Sequence, residues 1–112
     1  MHRFQASSAP RTEPAGHFGH LAVSDVVPKS VGDNFVVQIS YCPPGGGGEK
    51  HHHTEESQLF LVVSGELTFD TGEERFTLHE QEAVLFEPFE PHATLNESDT
   101  DSVAVVVTVT RP

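Results

Sequence analysis

Basic side chains are few in this chain of 112 residues: six Lys and Arg face seventeen Asp and Glu, a formal net charge of −11 with histidine neutral. A phosphate backbone or an anionic lipid surface rewards clustered cations, so this balance argues against nucleic acid and membrane as partners. Cysteine occurs once, at Cys42, which rules out an intramolecular disulfide and fits a reducing, cytoplasmic setting. Long apolar runs are also missing. The longest, Leu59 to Val63 and Val103 to Val107, fall far short of the ~20 residues a spanning helix needs. Met1 to Ser8 contains no apolar stretch of the kind a secretory signal requires. Nor does any window repeat apolar residues at the helical period.

What the chain does hold is a series of short alternating runs, punctuated by eight prolines and nine glycines. Asn34 to Tyr41 sets Phe35, Val37, Ile39 and Tyr41 on one face. Gln58 to Val63 is apolar on nearly both faces, as in a strand covered on both sides. Glu66 to Asp70 and Glu74 to Leu78 flank a tight turn at Thr71-Gly72, and Ala83 to Phe86, His92 to Leu95 and Val103 to Val109 complete the set. The pattern predicts an all-β sandwich or barrel over residues 17–112, preceded by an irregular arm over residues 1–16.

Histidine is the unusual component, with eight in the chain, three of them consecutive at His51, His52 and His53. Side chains two apart on a strand share a face about 6.5 Å apart, so His51 and His53 can converge on one cation while His52 points away. A third donor must come from elsewhere, because parity fails along a continuous strand from position 53 to 58. The polar segment Thr54 to Ser57 can break that parity as a turn, so that Gln58 at the start of the returning strand faces the same cavity, with Glu56 in the turn as its competitor. His92, behind Pro88-Phe89-Glu90-Pro91, offers another imidazole at a loop–strand junction. His2, His17, His20 and His79 have no such frame and read as exposed or structural. Cys42 reads as a small residue at a strand end, and the four-glycine run Gly45 to Gly48 as a place of close backbone approach or a mobile cavity lip.

In the run Gly45, five residues, His51-x-His53, four residues, Gln58, six residues, Gly65, the spacing resembles the first motif of the cupin superfamily, with Gln in place of its Glu. Of the second motif only His92 and Asn96 match; Gln81 and Phe89 stand where that motif has glycine, and Glu87 where it has proline. The resemblance, over roughly residues 34–109, implies a small single-domain cupin: a jelly-roll β-barrel of two antiparallel sheets. At its wide end it implies one divalent transition metal ion held by His51, His53, Gln58 and His92. Nitrogen and oxygen donors leave Zn, Fe, Mn, Ni and Co open.

Replacing the motif's carboxylate by an amide leaves every expected donor formally neutral, so a divalent ion keeps its full charge for Lewis-acid work. The expected function is therefore a metal-dependent isomerase, cyclase or lyase acting on a small carbonyl or phenolic compound in an apolar cavity, with Tyr41 and Phe60 as candidate walls. An Fe-dependent, quercetinase-like dioxygenase and a non-catalytic binding cupin are the alternatives. The apolar residues Leu59, Leu61 and Val63 on the outer side of their strand need cover from the second sheet or from a partner subunit, and the resemblance implies a homodimer.

Overall fold

The computed structural model describes residues 1–111; Pro112, the last residue of the expected 17–112 domain, lies outside the described residues. Eleven strands run in chain order: β1 (Arg11–Thr12), β2 (His17–Phe18), β3 (Ala22–Val27), β4 (Phe35–Cys42), β5 (Gly47–His51), β6 (Glu56–Ser64), β7 (Leu67–Asp70), β8 (Arg75–Leu78), β9 (Ala83–Phe86), β10 (His92–Leu95) and β11 (Ser102–Thr110). One helical turn, α1 (Lys29–Gly32), joins β3 to β4. The strands form a six-stranded sheet in the order β1-β3-β4-β11-β6-β9 and a five-stranded sheet in the order β2-β5-β10-β7-β8. All pairings are antiparallel. Apart from the hairpins β3–β4 and β7–β8, every connection crosses from one sheet to the other, the jelly-roll arrangement expected from the sequence.

The core lies between the sheets. From the six-stranded sheet it takes Cys42, Phe60, Val62, Phe86 and Val106, from the other Leu67, Phe69 and Leu78, and from the segment just before β3 Leu21. Phe69 is its hub, with ring centroids 5.1 Å from Phe60, 5.5 Å from Phe76 and 5.8 Å from Phe86. Such pairs contribute about 1 kcal/mol each beyond their buried area. The Cys42 thiol is enclosed here, and burial pushes its pKa up to about 11, so it is an inert protonated residue near neutrality.

Three expectations are revised. The first 16 residues are not irregular throughout: a 3-10 turn covers Ala6–Ser8, and Arg11 and Thr12 pair with Ser24 and Val23 at the edge of the six-stranded sheet. Of the two readings of the glycine run, the mobile lip gives way to close backbone approach, since Gly47 and Gly48 lie inside β5. A Cβ on Gly47 would stand 2.1 Å from the Thr94 carbonyl oxygen, so the close approach of β5 to β10 requires glycine there. Third, in β4 and β11 the inward residues are Ser40, Cys42, Ala104 and Val106. Tyr41 and the alternate valines from 103 to 109 therefore lie on the outer face.

Two pairs of crossings close the ends of the barrel. At one end the Asn96 side chain donates to the carbonyls of Cys42 (2.9 Å) and Thr100 (2.8 Å), and its backbone exchanges hydrogen bonds with Gly45 and Gly46. At the other end Phe89 N–H donates to the His53 carbonyl at 2.7 Å, tying the β9–β10 crossing to the β5–β6 crossing. Gln81 and Phe89, where the motif has glycine, both take φ of 70°, matching the left-handed Gly45 (81°) and Gly65 (75°) of the first motif.

Candidate metal centre

His51 ends β5, His53 follows two residues later in the crossing, and His92 opens β10. His51 and His92 are directly paired across the ladder, and a register shift next to them bends the strands at this point. Strand alternation alone therefore does not bring His53 beside His51, because the strand stops at His51; the turn held by Phe89 does. One ligating atom from each of His51, His53 and His92 lies within 4.8 Å of the other two.

Each ring is oriented from behind. His51 Nδ1 lies 2.9 Å from the Glu49 carbonyl, and His92 Nδ1 lies 3.2 Å from the Glu90 carbonyl. His53 Nδ1 lies 3.3 Å from a Glu56 carboxylate oxygen. With Nδ1 carrying the proton in each case, the three Nε2 lone pairs are left for the site. Glu56, the competing third donor, thus stands behind a histidine and not in the cavity.

Gln58 reaches the cluster from β6. Its amide N–H donates to Thr108 Oγ1 at 3.1 Å, which turns Oε1 toward His92 Nε2, also at 3.1 Å. His92 is 1% exposed and stacked on Phe86 with centroids 4.2 Å apart, and its pKa is pushed down to about 4. Burial is the main cause, opposed by the Glu90 hydrogen bond and aided by neighbouring His51 and His53. The ring is therefore neutral near pH 7 and owns a single N–H for two acceptors, the Glu90 carbonyl and Gln58 Oε1. One of these two contacts is lone pair against lone pair. His53 Nε2, buried and without a hydrogen-bond partner, adds a third unsatisfied acceptor. Converging acceptors without a proton between them are what a cation satisfies, so the residues present fit a divalent metal ion.

A cavity of about 170 Å³ opens in front of these groups. Leu21, Val23, Phe60, Leu67 and Val106 form its apolar wall; Gln38, Ser40 and Thr94 are polar interruptions, and Pro14 and His17 enter from the N-terminal segment. Among the described residues, no carboxylate lines it. Phe60 stands where the sequence expectation put it, its ring 5.7 Å from that of His92. Tyr41 does not. One residue out of phase with Cys42, it lies on the outer side of β4 beneath the Arg11 guanidinium, 3.5 Å from its ring centroid, and cannot wall the cavity.

The cupin-domain family profile matches residues 39–109. The chain is a cupin. No curated protein matches it in sequence. Among solved structures, this cupin is similar to a predicted oxalate decarboxylase from Thermotoga maritima, with 17% identity over 97% of this chain and 99% of that one and a TM-score of 0.89. It is similar to the polyketide cyclase RemF from Streptomyces resistomycificus, with 18% identity over 97% and 79% of the two chains and a TM-score of 0.85. The Cupin_2 domain of an XRE family transcriptional regulator from Enterobacter cloacae shares 22% identity over 82% and 98%, with a TM-score of 0.72. These likenesses establish the fold that enzymes and regulators share, and leave the chemistry to the site.

Sequence reasoning missed Thr108, gave Glu56 the role of a rival metal donor and not of a support, and did not place His17 at the cavity. Thr108 and Glu56 orient Gln58 and His53; Thr108 was signalled by being a hydroxyl in an otherwise valine-rich strand. His17, expected to be structural or exposed, lines the cavity.

Two outcomes follow for this centre. His51→Ala should lose most of the bound metal, read by metal analysis after reconstitution with Zn, while circular dichroism stays that of the folded barrel, because the aromatic core does not touch His51. In EDTA-treated protein, stability should fall as pH drops from about 6.5 to about 4. Over that window the unfolded chain takes up a proton that folded His92 refuses, a loss on the order of 3 kcal/mol at the lower end. His92→Phe should flatten this part of a urea-midpoint profile.

Proposed function

We propose that this cupin is a metal-dependent enzyme that performs Lewis-acid chemistry — isomerisation, cyclisation or a lyase step — on a small carbonyl or phenolic compound. One observation carries the reading: the convergent donors are three imidazoles and an amide, in a cavity that no carboxylate lines among the described residues. A divalent ion bound there supplies a positive centre that polarises a carbonyl or acidifies a phenol. The chain's own groups bind and orient the substrate. Phe60 and the aliphatic wall exclude water and pack against an apolar ring or chain, and Thr108 and Glu56 hold Gln58 and His53 in their orientations. The cavity volume is close to that of engineered apolar cavities that take up benzene, so the enclosed part of the substrate is one ring or its equivalent.

The test is a comparison under two conditions. With Zn or Co bound, hydroxyketones and β-dicarbonyl compounds should exchange solvent deuterium at carbon without consuming oxygen, and Gln58→Glu should slow that exchange while retaining the metal. Oxygen uptake with flavonols or catechols that depends on Fe would instead establish the dioxygenase alternative. Ligand binding with neither activity would establish a non-catalytic cupin.

We also infer a homodimer built on the outer face of the six-stranded sheet. There Val103, Val105, Val107 and Val109 lie opposite Tyr41, Ile39, Val37 and Phe35 on one side, and Val105 and Val107 lie opposite Leu61 and Leu59 on the other. Leu85 is 55% and Val63 45% exposed on the same sheet. A continuous apolar face of this kind favours a protein partner over water. Light scattering should give twice the 12.2 kDa chain mass, and Val105→Lys should halve it. A monomeric wild-type chain would overturn the inference.

A further inference from the structure

Four histidines line the cavity, and the metal cluster uses three of them. The fourth is His17, on a two-residue strand at the edge of the five-stranded sheet. Its ring centroid lies 6.4 Å from that of His51, with the planes at 60°. It stands outside the set of atoms close enough to share one ion, yet borders the same space.

Its orientation is built in the same way as that of two cluster members. His17 Nδ1 lies 2.9 Å from the carbonyl of Ala15, two residues earlier, just as His51 meets Glu49 and His92 meets Glu90. This contact places the proton on Nδ1 and leaves Nε2 as an acceptor. The neighbouring strand makes room for the ring. His17 pairs with Gly48, where a Cβ would stand 2.9 Å from His17 Cδ2 and 3.0 Å from Nε2. Any other residue at 48 would shift the imidazole from its seat.

We propose that His17 is a substrate-contacting residue, whose Nε2 accepts a hydrogen bond from a hydroxyl of the molecule held in front of the three-histidine cluster. This rests on the metal-centre reading and narrows its substrate class: a small carbonyl or phenolic compound that also carries a free hydroxyl. The cavity's remaining polar groups, Gln38, Ser40 and Thr94, are neutral, so His17 is the one ionisable group lining the cavity outside the cluster among the described residues. A ligand without a donor would leave its lone pair facing apolar surface, which disfavours that ligand.

The experiment uses the full chain loaded with Co and two probes read by absorbance. Azide binds the metal and has no hydroxyl to offer His17; 4-nitrocatechol bound through one oxygen keeps a second hydroxyl as a donor. His17→Ala should keep the metal content and the azide affinity of the wild type and weaken 4-nitrocatechol binding roughly tenfold, the effect of one lost hydrogen bond. His17→Gln, which retains an acceptor, should recover part of the loss, and Gly48→Ala, which displaces the ring, should reproduce it. Unchanged 4-nitrocatechol affinity in His17→Ala, or a wild type that binds azide but not 4-nitrocatechol, overturns the proposal and leaves the metal centre standing. Metal loss in His17→Ala overturns it by making His17 a ligand. A wild type that takes up no Co overturns the metal reading and this proposal together.

Discussion

The ladder between β6 and β11 is the constraint on which fold and site jointly depend. It runs through the interior of the six-stranded sheet, pairing Gln58 with Thr108, Phe60 with Val106 and Val62 with Ala104. Because side chains alternate with a period of two, one register places both the core residues and the metal-facing amide inward. A slip by one residue would bury Leu59 and Leu61 but turn Gln58 out to solvent and part it from Thr108. The apolar residues that stabilise the barrel thus specify the phase of its chemistry.

A second ordering principle acts on the protons. The cluster rings are held through Nδ1, by backbone carbonyls for His51 and His92 and by Glu56 for His53. Carbonyls cannot ionise, so two of these orientations are independent of pH near neutrality. The chain is strongly acidic, yet its carboxylates stay outside the cavity wall among the described residues. The one that comes near, Glu56, acts on the remote nitrogen of a ring.

Much of this was legible in the sequence, and the failures have physical causes. β4 and β6 to β11 were visible because each alternates or is uniformly apolar. β5 was not, since Gly-Gly-Glu-Lys-His has no apolar side chain to alternate, and β1 and β2 are too short to carry a period. In β3, the polar pair Ser24-Asp25 interrupts the signal. For Tyr41 the alternation was read correctly but the side was not. Alternation states which residues share a face, and the usual assumption that the more apolar face is the inner one fails where the inner face carries Gln38 and Ser40 as cavity wall. The spacing of His51, His53 and Gln58 pointed to residues that the structure does bring together with His92. His17 had no frame because its position depends on a two-residue strand meeting a glycine far along the chain.

The left-handed residues at positions 81 and 89 have a wider consequence. A side chain in that conformation costs on the order of 1 kcal/mol, against a total stability of roughly 5–15 kcal/mol for a domain. Gln81 and Phe89 accept that cost, together with His20 and Asp33, in a chain of only 112 residues. At the two positions where the motif has glycine, this chain takes the torsion that glycine permits while carrying a side chain. The path of the backbone at these two turns is therefore imposed by the surrounding barrel and not by the residue that occupies it.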